Sequence, residues 1–160
     1  MSRLVFAVGL SCGLLAFPAL AKPWNGIHPG VSSMIDVIGK FGEPSKKVMA
    51  KGQEVLVYSG PTAITGTVQA QFKCNPTTHV VERIDVYPAP VIPKEAVEKS
   101  YGRACDPMEA KEPCYYRKES ASAHVYFHYV KLGLAVFFKD DGKTVQSFTF
   151  LPSTLQQPAE

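Results

Sequence analysis

An α+β fold is predicted, with two tandem α-β-meander repeats forming an antiparallel sheet and the helices packed on one face of it. Three observations predict it. Two short amphipathic segments each end at a glycine, Val37-x-x-x-Phe41-Gly42 and Val97-x-x-x-Tyr101-Gly102, at a constant offset of 60 positions. Each is followed by short β-rich runs separated by turn residues. The last hairpins of the two halves also read alike and close on Pro88 and Pro152. Strands that are neighbours in sequence pair naturally as antiparallel hairpins.

The first 21 residues stand outside this plan. Arg3 gives a positive start, Leu4 to Phe17 form a run of 14 residues without charge, and Pro18 with Ala19-Leu20-Ala21 supplies a small-x-small cleavage pattern. That is the anatomy of a secretory signal peptide cut after Ala21. The run is short of the roughly 20 residues a membrane-spanning helix needs, and no later stretch approaches that length. Cys12 does not suit lipid anchoring, because Gly9 stands where a large aliphatic residue is wanted and the apolar run continues beyond it. The expected organisation is a signal peptide at 1–21, a first repeat at 22–90, a second at 91–152 and a polar, mobile tail at 153–160.

The first helix opens at Ser32 or Ser33, either of which can accept a hydrogen bond from an early helix N–H. Met34, Val37, Ile38 and Phe41 recur at helical spacing, and Gly42 with Pro44 stops the helix. Glu54–Tyr58, Thr67–Lys73 and Val80–Tyr87 then read as strands. Ala89 to Pro93 connects the halves, and Pro93 suits the first turn of the second helix, which carries Ala96, Val97 and Tyr101 and ends at Gly102. Cys114–Lys118, His124–Val130, Leu134–Lys139 and Val145–Leu151 are the second set of strands. Asp140-Asp141-Gly142-Lys143 marks a hairpin, since Asp-Gly accepts the positive φ such turns require. In the two last hairpins Phe72-Lys73 aligns with Phe138-Lys139, and Ile84 and Val86 with Phe148 and Phe150, which makes the first turn two residues longer.

A mature chain of 139 residues suffices for one domain with its own core. Its net charge of +3 falls to +2 once Arg3 leaves, and the basic residues are dispersed, which argues against a nucleic-acid partner. Three cysteines remain, and an oxidising compartment favours a disulfide. Cys105 and Cys114 enclose a charged, proline-containing loop with little apolar surface to order it, so a bond between them is expected with Cys74 left over. Three pairings remain open on sequence alone.

Strand alternation assigns two faces. Val68, Ala70, Phe72, Ile84, Val86, Val125, Phe127, Tyr129, Leu134, Val136, Phe138, Phe148 and Phe150 are expected toward the helices. Gln69, Gln71, Lys73, Arg83, Asp85, Tyr87, Tyr126, His128, Phe137 and Lys139 then share the open face. Tyr and Arg combine contact area with polar handles. Arg83, Tyr87, Tyr126, His128 and Phe137 are therefore the candidate partner-binding residues. Cross-strand pairing of these aromatics is the competing explanation.

Catalytic, metal-binding and cofactor-binding residues are not expected. His124 and His128 lie four residues apart on a strand, about 13 Å at roughly 3.3 Å per residue, too far to share one metal ion. Cys74 and His79 could be imagined as nucleophile and base, but no third group orients them. The sequence lacks a Gly-rich phosphate loop, a Gly-x-Ser-x-Gly elbow and an HExxH motif.

The segment Trp24-Asn25-Gly26-Ile27-His28-Pro29-Gly30-Val31-Ser32, with Asp36-Val37 and Phe41-Gly42-Glu43-Pro44, resembles the I-x-P-G-x-S … V … G-x-P opening of BamE-like proteins. Gly133 to Gly142, continuing to Val145, looks like their terminal hairpin. The doubled plan is similar to that of β-lactamase-inhibitor proteins, in which two such repeats bind enzymes with an open sheet face. Their helix-to-strand loops can carry a disulfide, as Cys105 and Cys114 would. The signal peptide and the lack of catalytic motifs point to a non-enzymatic, periplasmic or secreted module, and the resemblance implies that its partner is a protein of outer-membrane assembly. The alternative it implies is an inhibitor of a secreted or periplasmic enzyme, with the Pro61–Gly66 loop as an inserting element.

Overall fold

Helix α1 (Met34–Phe41) begins where Ser33 and Asp36 satisfy each other's backbone. Asp36 N–H donates to Ser33 Oγ at 3.3 Å, and Ser33 N–H donates to Asp36 Oδ2 at 2.7 Å. This capping box fixes the helix start at the second of the two expected serines. Helix α2 (Lys94–Tyr101) has Pro93 at its N-cap, one position before the first turn where it was expected, with no side-chain cap. Both helices end at glycines with positive φ, Gly42 at 78° and Gly102 at 100°. At Gly102 a second constraint applies, because a Cβ there would collide with the Pro113 carbonyl.

The computed structural model describes residues 22–108, 113–121 and 123–153. The expected signal peptide and residues 154–160 of the expected tail lie outside the described residues. Eight strands form a single sheet: β1 (Lys46–Ala50), β2 (Gln53–Ser59), β3 (Thr67–Cys74), β4 (Val81–Pro88), β5 (Tyr116–Glu119), β6 (Val125–Tyr129), β7 (Leu134–Phe138) and β8 (Val145–Phe150). Their order is β1-β2-β3-β4-β8-β7-β6-β5, and every neighbouring pair is antiparallel. The chain is thus α+β, as expected. Strand β1 was not foreseen. It lies at the sheet edge with all five residues exposed, so its sequence carries no buried alternation, and Lys46 and Lys47 guard the unpaired edge.

The halves meet where Ile84 pairs with Phe150, Asp85 with Thr149 and Val86 with Phe148. On each side the same anchoring bonds recur. Val81 N–H donates to Ser32 O and Met34 N–H to His79 O in the first half; Val145 N–H donates to Ile92 O and Lys94 N–H to Lys143 O in the second. Tyr58 Oη donates to Gly42 O at 2.8 Å, and Tyr129 Oη to Gly102 O at 2.9 Å.

Cross-strand register corrects the hairpin alignment. Phe72 pairs with Ile84 and Val136 pairs with Phe148, so Phe72 corresponds to Val136 rather than to Phe138. Register shifts fall at Lys73/Cys74 and at Phe137/Phe138, the same place in each hairpin, and the two turns are equal in length. The repeated Phe-Lys pair, Phe72-Lys73 and Phe138-Lys139, drew the sequence alignment two residues away from the equivalence that the strand register sets.

Val37, Leu56, Tyr58, Ala70, Phe72, Ile84, Val97, Tyr129, Leu134 and Val136 are all at most 1% exposed and form the core between helices and sheet. Val68 departs from its expected place: the register shift between Thr67 and Gln69 leaves it outside the ladder, 59% exposed. Val125 is half-buried. Within the Pro61–Gly66 segment Ile64 is 9% exposed and packs in the core, while Pro61, Thr65 and Gly66 are exposed. Ser153 is fully buried and therefore belongs to the fold, not to a mobile tail. Cys105 and Cys114 are disulfide-bonded, and Cys74 is free and buried.

Candidate functional site

The sheet face turned away from α1 and α2 has a floor of small and polar residues. Ala135, Ser147, Thr149 and Asp85 are between 3% and 8% exposed, although no described helix covers them. Larger neighbours shield them. Lys73, Arg83 and Tyr87 stand on the β3–β4 side; Phe137, Tyr126 and His128 stand on the β6–β7 side. Between the two groups lies a hollow of about 270 Å³, lined by Arg83, Asp85, Tyr87 and Phe137, by Gln146, Ser147 and Thr149, and at one end by Ser120 and His124.

Asp85 was expected on this face, but its burial was not. Lys73 Nζ lies 2.7 Å from its Oδ2, and Arg83 Nε donates to Oδ1 at 2.8 Å and to Oδ2 at 3.0 Å. Thr149 Oγ1 donates to Oδ1 at 2.7 Å across the β4–β8 junction. Burial pushes the carboxyl pKa up, but Lys73, Thr149 and Arg83 together outweigh it and hold the group below its ordinary value. Asp85 is therefore a carboxylate at neutral pH, and two cations share it.

The aromatic side is ordered by stacking. Tyr126 and Phe137 are directly paired across β6 and β7, with ring centroids 4.8 Å apart at 22°. His128 lies 6.4 Å from Tyr126 and pairs with Ala135 and Tyr116 on the adjoining strands. Burial, then Lys118, lowers its pKa, so the ring is neutral at pH 7. Burial and then Asp85 raise the Tyr87 pKa, with Arg83 opposing, which keeps that hydroxyl protonated as a donor.

All five candidate residues thus share one face. Arg83, Tyr87 and Phe137 line the hollow, Tyr126 extends it by stacking, and His128 stands beside the floor. Sequence reasoning missed Ser147 and Thr149, which make the floor. The signal was present, because polar residues alternate with Phe148 and Phe150 on β8.

Cys74 ends β3 and His79 lies in the turn that follows it. Cys74 is wholly buried, and burial, then Glu54 and Glu82, pushes its thiol up to about 11. A thiol so placed stays protonated at neutral pH. His79 sits exposed in the β3–β4 turn with Nδ1 3.7 Å from Glu54 Oε2. His124 Nε2 lies 3.5 Å from Asp140 Oδ1. Among the described residues no three His, Cys, Asp or Glu side chains come together as a metal site, and no described helix is long and apolar enough to cross a membrane.

Fold and site together define a single-sheet α+β protein with one helix-covered face and one face, covered by no described helix, that combines cations with aromatic rings. No protein-family model matches the chain, and no curated protein matches it. A solved structure is similar: the crystal structure of YjgB from Bacillus subtilis, a DUF4309 family protein. It aligns at a TM-score of 0.55 and 14% identity, over 80% of this chain and 83% of that one, a likeness of fold alone.

Proposed function

We propose that this chain is a non-enzymatic, extracytoplasmic protein-binding module that uses the uncovered sheet face. The observation that carries the reading is the meeting of a two-cation cluster and a stacked aromatic pair at one hollow on a face no described helix covers. Aromatic and Arg side chains of this kind supply most of the energy at protein interfaces. The Cys105–Cys114 disulfide supports a periplasmic or secreted location, where such bonds persist. The matched anchoring bonds and equal hairpin registers support descent from two tandem α-β-meander repeats, and through the BamE-like resemblance a partner in outer-membrane assembly. The inhibitor alternative would use the same face, with the exposed ends of the Pro61–Gly66 loop as the inserting element.

The test is a pull-down with mature protein from its native envelope fraction, beside an Arg83→Ala/Tyr126→Ala double variant. Recovery of β-barrel assembly components, lost in the variant, is the expected result. A single soluble enzyme recovered instead would favour the inhibitor alternative. Equal recovery by the variant would rule out the face.

A further inference from the structure

We propose that the hollow recognises an acidic side chain carried next to an apolar or aromatic one on a partner's exposed segment, a proposal that rests on the binding reading above. The charge balance of the site points to it. Lys73 and Arg83 both contact the single carboxylate of Asp85, so the cluster retains one uncompensated positive charge. Arg83 commits Nε to Asp85 and reaches Thr149 Oγ1 with Nη2 at 3.5 Å. Nη1 has no hydrogen-bond partner among the described residues, and the side chain is 40% exposed. Since a guanidinium has five N–H donors in a fixed fork, most of them remain for an incoming carboxylate.

Asp85 holds the root of that fork, so little side-chain freedom is lost on binding. The nearby Glu82 does not compete: its Oε2 accepts from Gln53 Nε2 at 2.7 Å and its Oε1 from Asn75 Nδ2 at 3.0 Å. Tyr87 and Phe137 bound the same hollow. An apolar neighbour of the bound acid would meet these rings, and the Tyr126 stack lies just beyond. A basic partner would face the surplus cation, and a purely apolar one would leave Arg83 desolvated without a partner, which costs free energy.

The experiment titrates isotope-labelled mature protein with a capped Phe-Ala-Glu-Ala-Phe peptide and with versions carrying Gln or Lys at the centre, followed by amide chemical shifts. The Glu peptide is expected to shift Arg83, Thr149 and Phe137 and to bind about tenfold more tightly than the Gln peptide, as a charge-assisted pair should. Arg83→Gln should bring the Glu peptide to the Gln level, while Arg83→Lys keeps part of the preference; the same spectra report that each variant is folded. Equal binding of the Glu and Gln peptides, preference for Lys, or shifts elsewhere on the molecule would overturn the proposal. If partner capture is lost in the Arg83/Tyr126 double variant while the peptides do not discriminate, the acidic chemistry fails and the face stands. Capture that survives the double variant removes both.

Discussion

Across the β4–β8 junction, Phe72 occupies on the helix side the place that Val136 occupies in the other half, and Ile84 the place of Phe148. On the opposite face, Lys73 corresponds to Phe137, Arg83 to Ser147, and Asp85 to Thr149. One side of the sheet substitutes apolar for apolar, and the other exchanges charge for aromatic ring or hydroxyl. The core must exclude water in both halves, so its chemistry is held in kind. The face that no described helix covers has no such duty and is bipartite, with ions on β3 and β4 and rings on β6 and β7. The proposed binding face thus rests on the positions where the two halves differ, not on those where they agree.

The largest effect should come from the shared core. Phe72→Ala removes a fully buried ring that touches Trp24, Phe41 and Tyr58. Urea unfolding should show a loss of about 3–5 kcal/mol. Val136→Ala, in the corresponding place, should cost about 2 kcal/mol for its smaller side chain. A larger loss at Val136 than at Phe72 would break the equivalence of the two cores.

The disulfide distinguishes the halves, because the first has no counterpart. It ties the segment after α2 to Tyr115, whose ring stacks on Phe127 at 3.6 Å and whose hydroxyl donates to Glu98 at 2.7 Å. Replacing Cys105 and Cys114 by Ala should cost about 2–3 kcal/mol, the value for a short loop. Hydrogen exchange should quicken in β5 and β6 and stay unchanged in β1 and β2. Uniform loss of protection would mean that the staple serves the whole sheet.

The ion cluster sharpens the contrast between the open faces. Asp85→Ala strands Lys73, Arg83 and the Thr149 hydroxyl and should cost about 1–3 kcal/mol; Thr149→Val should cost less. The Asp85 pKa is lower folded than unfolded, so the unfolded chain takes up the proton first as pH falls. Its stabilisation is complete above the unfolded value of about 3.9 and is lost as pH drops through the lower folded value. Stability measured from pH 6 to pH 2 should fall less steeply in Asp85→Asn than in the parent. Equal slopes would show that other carboxylates govern the acid limb.

Much of this was legible in sequence. Glycine stops and seven of the eight described strands follow from residue chemistry at short range, which also narrowed the first cap to Ser32 or Ser33 and favoured the Cys105–Cys114 bond among three open pairings. What escaped depends on long-range register. Val68 looked like a core residue until a bulge turned it outward, and Phe138 looked like the counterpart of Phe72 because each precedes a lysine, until the strand register put Val136 there. Strand β1 has no buried side to betray it. Alternation alone placed the five candidate residues together on the face opposite the helices. Their convergence on a hollow was not readable, because it arises where β4 meets β8, residues 64 positions apart in the chain.

The smallest predicted effect is also the closest test of the shared plan. Tyr58 and Tyr129 are both fully buried, and each hydroxyl donates to the carbonyl of the glycine that ends a helix. Burial, with Glu43 and Cys74, pushes the Tyr58 pKa up to about 12; burial, then Tyr115, raises that of Tyr129 as well. Both therefore remain protonated donors throughout the neutral range. Tyr58→Phe and Tyr129→Phe delete only the donor and leave a helix-end carbonyl without it, so each should cost about 1 kcal/mol. The two sites share no partner and lie on opposite sides of the β4–β8 junction, so the double variant should lose the sum of the single effects. Equal single losses that add would mark the bond as one device used twice. A loss at Tyr129 alone would mean that the two helices are held to the sheet by different means.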